Sequence, residues 1–474
     1  MTVSNRAADS SSSAPFQFPY IPNTPDEQAA MLATLGVASI DELFQDIPEE
    51  FRNPPLDLPQ PMSELEVQKE LAGLASRNRA LASGPSFLGA GCYNHFIPAI
   101  VKALMTRGEF LTAYTPYQAE ASQGTLQVIY EFQTLISHLY GMEVANAGMY
   151  DGATSLAEGV LMACRVTRRS RVAVANTLSP FYRQVIGTYC QAQGIEIQSV
   201  SPSPSPALDG ETACLVVQYP NFYGYIEDLA GLTEAAHAQG ALIVVSADPM
   251  AMGMFQPPGH YGADIVTGEG QPLGIPPSYG GPYVGLFSAK QEYIRQMPSR
   301  LSGRTLDNQG RTGYVLTLQT REQHIRRERA TSNICTNEAL YALAATIYLA
   351  ALGKQGLQSV AELCYQKAHY AAARIAQLPG YTLPIQGTFF QEFVVQCPVP
   401  PTSINRRLLE QNILGGLDLN EAYSNVPPAE GGTTGGSPSQ PAGDFTNAML
   451  LCVTEMNSRQ EIDALVEALS EFSR

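Results

Sequence analysis

The sequence predicts an α/β protein with a mostly parallel sheet, and three observations lead there. From about residue 86, short β-branched runs alternate with segments of helical period, the pattern of strand–helix–strand crossovers. Runs such as Leu242 to Val245 are apolar throughout, as parallel strands covered on both faces are. The composition, 45% hydrophobic and 15% charged over 474 residues, supplies a sizeable core.

The first fifteen residues are polar and serine-rich, with no apolar stretch for a secretory signal or anchor, and read as a disordered tail (1–15). Residues 16–85 read as a helical arm. Thr24-Pro25-Asp26-Glu27 sets a cap, a first-turn proline and a capping-box glutamate ahead of an apolar run that Gly36 stops. Ser39 with Glu42 and Ser63 with Glu66 repeat the box, and Val67, Leu71 and Leu74 give the last helix an apolar face. Pro54 to Pro61 is an extended link between them. A large α/β domain follows over 86–350. Its strand candidates are 172–175, 195–197, 214–218, 242–245, 265–266 and 283–287. Its helix candidates are 125–139, 153–164, 181–191 and 228–238. A helix from Ala339 leads into a smaller α+β region, 351–474, broken by a Gly/Pro/Ser/Thr-rich loop at 425–443 that reads as mobile.

Charge and cysteine usage narrow the function. A net charge of −16 and a pI near 4.9 argue against nucleic acid or an anionic membrane as partner. The apolar stretch from Ala339 to Leu352 falls short of the roughly 20 residues a membrane span requires. Eight scattered cysteines without a CxxC pair suit a reduced, cytoplasmic protein, and no histidine spacing suggests a metal.

The chemistry concentrates at one place. The run Leu242 to Val245 delivers Asp248-Pro249 to the C-terminal end of a strand, where open α/β sheets gather ligands. An aspartate there holds the pyridine nitrogen of pyridoxal phosphate (PLP) protonated in enzymes of the PLP-dependent-transferase-like class, fold type I. It also serves as a turn residue capping local amides. A second strand leads through Thr267-Gly268-Glu269-Gly270-Gln271-Pro272-Leu273, where the Schiff-base lysine belongs. Gln271 stands there, and its amide nitrogen is not nucleophilic. Asp151-Gly152-Ala153-Thr154-Ser155 opens a helix whose free amides suit a phosphate, although small residues there also serve close packing.

Five blocks carry a family resemblance over nearly the whole chain: FLGAGCYNHFIP (87–98), TAYTPYQAEASQGTLQ (112–127), MYDGAT (149–154), PNFYGYIEDL (220–229) and TREQHIRRERATSNICT (320–336). In these the chain resembles the alpha subunit of the glycine cleavage system P-protein, subunit 1 of glycine dehydrogenase (decarboxylating). The resemblance implies a heteromer, an alpha–beta pair and then α2β2, whose beta subunit holds both PLP and its lysine. The holoenzyme would join glycine to PLP, release CO2 and pass the aminomethyl group to the lipoyl arm of the H-protein. Asp151, Gly152, Asp248 and Gln271 become vestigial, and no catalytic or cofactor residue is expected within this chain. Asn94, Gly148 and Ser179 depart from aspartate, serine and histidine in the family pattern.

Candidate contributors to the partner's active site are Tyr114, Thr115, Tyr117, Gln118, Arg326, Arg327 and Asn333. The tyrosine loop offers phenol and amide hydrogen bonds, or ordinary interface packing. The arginines at 321, 326, 327 and 329 either guide a carboxylate substrate or acidic carrier, or form a solvated mixed-charge face. Cys335, placed at the start of the Ala339 helix, is a redox candidate or an inert interface thiol. Two alternatives stand beside this reading: an autonomous PLP enzyme using Lys290, and a non-catalytic regulatory scaffold on a degenerate PLP fold.

Overall fold

The computed structural model describes residues 22–52, 54–55, 57–202, 205–335, 337–424 and 445–473. The expected tail 1–15 and loop 425–443 lie outside the described residues. The chain divides into two units, Met1–Asn78 and Arg79–Arg474.

In the first unit, helices Pro25–Leu35 and Glu64–Ala75 both begin with complete capping boxes, from Thr24/Glu27 and Ser63/Glu66. Gly36 closes the first helix at φ 77°, a left-handed conformation that costs glycine nothing. The middle box does not form. Glu42 instead accepts the N–H of Ala38 at 3.1 Å, Ser39 makes no cap, and Ile40–Phe44 tightens into a 3-10 helix. Val67, Leu71 and Leu74 are exposed.

The second unit is built on a seven-stranded sheet in the order β1-β7-β6-β5-β4-β2-β3. Strands β2 (Arg171–Ala175), β3 (Glu196–Val200), β4 (Thr212–Tyr219), β5 (Leu242–Ala247) and β6 (Ile265–Glu269) run parallel to one another. β7 (Gly285–Ala289) runs antiparallel to β6, and the short β1 (Val144–Ala145) pairs outside it. Side chains alternate between two cores. Ala173, Leu215, Ile243, Val245 and Val266 pack with helices Gln123–Tyr140 and Leu229–Ala238 on one face. Val172, Val174, Val216, Val244 and Ile265 pack with helix Gly152–Thr167 on the other. The period of two thus divides one apolar run between two buried surfaces.

A hairpin of β8 (Leu301–Leu306) and β9 (Thr312–Thr317) follows. Helix Ala339–Ile375 then carries the chain across. From Ala342 to Cys364 it joins the sheet core and from Ala368 to Ile375 a third core, with Gly353 at φ 61° and ψ −174° interrupting the helical geometry within the first of these stretches. That third core lies under the antiparallel sheet β10 (Glu392–Gln396), β12 (Ala448–Cys452) and β11 (Leu417–Asp418), covered by helices Pro401–Glu410 and Arg459–Ser470. Among the described residues no helix is long and apolar enough to cross a membrane.

Candidate functional site

β5 and β6 end side by side, so Asp248 and the segment Glu269–Gln271 leave the sheet at the same edge. Asp151 and Gly152, at the start of helix Gly152–Thr167, join them there, because that helix packs across β6 and Glu269 reaches Gly152. The residues expected to be vestigial therefore come together at one end of the sheet.

Gln271 is 1% exposed and fully bonded. Its Oε1 accepts the Tyr93 N–H at 2.8 Å, while its Nε2 donates to the carbonyls of Tyr93 at 2.9 Å and Ile275 at 2.7 Å. A primary amide has the one acceptor and two donors this frame demands; an ammonium has only donors.

Beside it, the Glu269 carboxyl turns toward the helix start. Oε2 accepts the Gly152 N–H and Oε1 the Gln271 N–H, each at 2.9 Å. Burial pushes this carboxyl up to about 8, and the backbone hydrogen bonds from Gly152 and Gln271 hold it from going higher. Asp151 caps the same helix, its Oδ1 accepting the Thr154 N–H at 2.8 Å. Asp248 makes the turn that its position before Pro249 suggests. Its Oδ1 accepts the Met250 N–H at 2.8 Å, and its Oδ2 takes the Gln391 amide at 3.0 Å. Burial raises its carboxyl above the usual range.

His95 Nδ1 lies 2.7 Å from Glu455 Oε2, and the Cys364 thiol donates to the same oxygen at 3.3 Å. These residue types serve as metal ligands. Glu455 Oε1 also accepts the Phe96 N–H at 2.7 Å, while the buried His95 Nε2 has no hydrogen-bond partner.

A second cluster lies at the surface, in a cavity of about 420 Å³ lined by Tyr117, Glu322, His324, Arg327 and Cys335, among others. Sequence reasoning missed its centre. Arg300 is 6% exposed, and it donates to the Cys335 carbonyl at 2.6 Å and to Tyr117 Oη at 3.3 Å. It also stands 3.5 Å from the Glu322 carboxylate and 5.6 Å from the Tyr117 ring centroid. The His324 ring meets Tyr117 edge-on at 5.5 Å. Tyr114, Gln118 and Asn333 are exposed and Thr115 is half-buried, none of them lining this cavity; Arg326 ends the short helix Gln323–Arg326.

Three expectations are corrected. Arg321 and Glu322 do not form a solvated face: Arg321 is buried and spends its guanidinium on the carbonyls of Met297, Ser299 and Leu318. Cys335 does not open a helix, because the helix starts at Ala339 with Glu338 at its N-cap, and the dipole's influence is confined to the first turn. Lys290 does not serve a cofactor at this edge. β7 runs antiparallel, so Lys290 leaves at the opposite edge of the sheet, where Nζ meets the buried Asp264 at 2.5 Å, shared with His237 at 2.8 Å.

The family profile described as "Glycine cleavage system P-protein" matches residues 19–426. The chain belongs to that family. A curated relative from Thermomicrobium roseum, probable glycine dehydrogenase (decarboxylating) subunit 1, is 53% identical over 95% of this chain and 99% of its own length. The protein of the same name from Desulforamulus reducens is 52% identical, covering 96% and 100%. Among solved structures, a glycine decarboxylase (P-protein) of the glycine cleavage system, in inhibitor-bound form, matches with a TM-score of 0.85 at 43% identity over 96% of this chain and all of that one. A C-DES mutant with glycine covalently linked to its PLP cofactor shares the fold alone, at 13% identity and a TM-score of 0.58. The fold is the type I PLP architecture that the strand–helix alternation and the resemblance implied.

The residues present in this P-protein family member do not fit PLP. The amide of Gln271, expected at the Schiff-base position, is locked by its hydrogen bonds, and the first amide of helix Gly152–Thr167 is taken by Glu269. A Cβ built on Gly152 would stand 2.6 Å from Tyr182 Oη and 2.9 Å from Glu269 Cβ.

Proposed function

We propose that this member of the P-protein family is the lysine-less alpha subunit of a heteromeric, cytoplasmic glycine decarboxylase. Its beta partner holds PLP and the lysine in an αβ unit that doubles to α2β2. The observation that carries this reading is Gln271, an amide fixed by three hydrogen bonds where the nucleophile of such an enzyme belongs. Glycine is decarboxylated at the partner's site, and the aminomethyl group passes to the lipoyl arm of the H-protein. This chain supplies part of that site's wall. Tyr114, Thr115, Tyr117 and Gln118 offer hydroxyl and amide groups from a largely exposed loop, and Arg326, Arg327 and Asn333 offer cationic and amide groups to an acidic carrier or to the substrate carboxylate. Arg300 braces the loop through Tyr117.

Co-expression with the beta subunit, followed by glycine–bicarbonate carboxyl exchange in the presence of H-protein, tests the proposal. Exchange is expected only when both chains are present, with PLP absorbance travelling with the partner. A chain that binds PLP and exchanges carboxyl groups by itself would replace this reading with the autonomous enzyme. Assembly with no effect on the partner's exchange would favour the scaffold.

A further inference from the structure

The start of helix Gly152–Thr167 has the makings of an anion site. It follows a turn, it opens with glycine, and its amides point at the edge of the sheet where ligands gather. One buried hydroxyl in its first turn, Ser155 Oγ, has no hydrogen-bond partner, and Thr267 Oγ1, on β6 further along the helix, has none either. Thr267 faces the helix about two turns from its start, since a Cβ on Gly159 would lie 3.4 Å from Thr267 Cγ2. Glu269 is two residues further along the same strand and so shares that face.

We propose that Glu269 is an internal substitute for a phosphate, and that its carboxyl group keeps this chain from binding phosphate-bearing ligands. Hydrogen bonding supports this, because one of its oxygens takes the N–H of Gly152 at the helix start and the other the N–H of Gln271, two residues along its own segment. Asp151 takes a third amide, that of Thr154. Space supports it, since Gly152 packs directly against Glu269 Cβ and Tyr182 Oη. Charge agrees as well. The groups whose charge bears on Glu269 and the neighbouring Tyr182 include Asp151 and Asp248, both acidic, and a carboxyl pushed up to about 8 keeps its proton at neutral pH. Glu269 therefore reproduces a phosphate's contacts without its charge. An arriving phosphate dianion would have to displace both of these hydrogen bonds and then sit beside Asp151.

The inference deepens the reading that PLP belongs to the partner, and it is tested apart from turnover. Full-length wild-type chain and Glu269→Ala are titrated with inorganic phosphate by calorimetry, with chloride as the ionic-strength control. Wild type is expected to show no saturable binding, whereas Glu269→Ala gains a saturable millimolar site and a phosphate-dependent rise in Tm. A folded Glu269→Ala chain that ignores phosphate, or a wild type that binds it as well as the variant does, overturns the proposal. Should the variant not fold, hydrogen exchange on wild type decides. The Gly152 and Gln271 amides are expected to exchange slowly in phosphate-free buffer, with no change on adding phosphate; fast exchange slowed by phosphate refutes an internal plug. PLP absorbance in the wild-type chain would sink the subunit assignment as well, while phosphate binding without PLP would remove only this inference.

Discussion

Restoring the missing nucleophile is the most direct challenge to the structure. In Gln271→Lys the new ammonium still donates to the carbonyls of Tyr93 and Ile275, but nothing accepts the Tyr93 N–H that now bonds Gln271 Oε1 at 2.8 Å. A buried amide stranded this way costs about 1–3 kcal/mol. The charge adds to this, since the side chain occupies a site that is 1% exposed. An ammonium there either carries a desolvation cost of several kcal/mol or gives up its proton. The total is on the order of 3–5 kcal/mol, a large part of the stability of a typical domain. Urea unfolding of the full-length variant measures that loss. PLP absorbance and borohydride trapping then ask whether a lysine alone restores a cofactor site, and at most a weak adduct is expected because the ring is neither stacked nor oriented. Wild type should give no trapped adduct on Lys290 or elsewhere. A Gln271→Lys chain as stable as wild type that decarboxylates glycine without its partner would refute the reasoning.

Four further outcomes follow from named contacts. Burial raises the carboxyls of Glu269 and Glu392 to about 8 and about 7, so the folded state holds protons the unfolded chain has already released. Their stabilising contribution is complete below about pH 4 and is lost as pH rises through 7 to 8, so Tm should fall across that window, and fall less in Glu269→Gln. Tyr117→Phe or Gln118→Ala should lower carboxyl exchange severalfold while gel filtration shows the complex intact; unchanged turnover in both reduces the loop to packing. Neutralising Arg326 and Arg327 together should raise the apparent KM for H-protein more than that for glycine, with a salt dependence weaker than wild type. Cys335, the exposed member of eight cysteines, should alkylate first at limiting reagent, and mass spectrometric labelling of another cysteine ahead of it would contradict this.

Much of the fold was legible because burial on two faces writes itself into strands such as Leu242–Ala247 and into the capped, amphipathic helices between them. The direction of β7 was not. Its run looks the same either way, and only the chain from Gly270 to Val284, which returns along one edge, sets it antiparallel and sends Lys290 away from the pocket. The β8–β9 hairpin was missed because its strands carry Gly303, Arg304 and Gly313 and are largely exposed toward the turn, leaving little apolar signal. In the site, the residue type that chemistry requires made the lack of lysine visible at Gln271. Glu269 and Arg300 read as ordinary polar positions, because what they do depends on amides and rings brought from more than 100 residues away. Charge composition misled at Arg321, whose guanidinium serves three backbone carbonyls inside the protein.

The break at Gly353 bears on how this molecule is able to change over evolutionary time. An unbroken helix of 37 residues would be a rod about 55 Å long, and one rod imposes one axis on everything packed along it. A substitution that tilted its first half on the large sheet would swing the far end and have to be answered in the small sheet. With one residue at φ 61° and ψ −174°, the segment before Gly353 and the longer segment after it do not share one continuous helical geometry. A tilt of the segment before Gly353 is then not passed on as a rigid swing of the far end, while the segment after it, seated on the sheet core through Leu357, Ala361 and Cys364 and on the third core from Ala368, is what ties the two cores together.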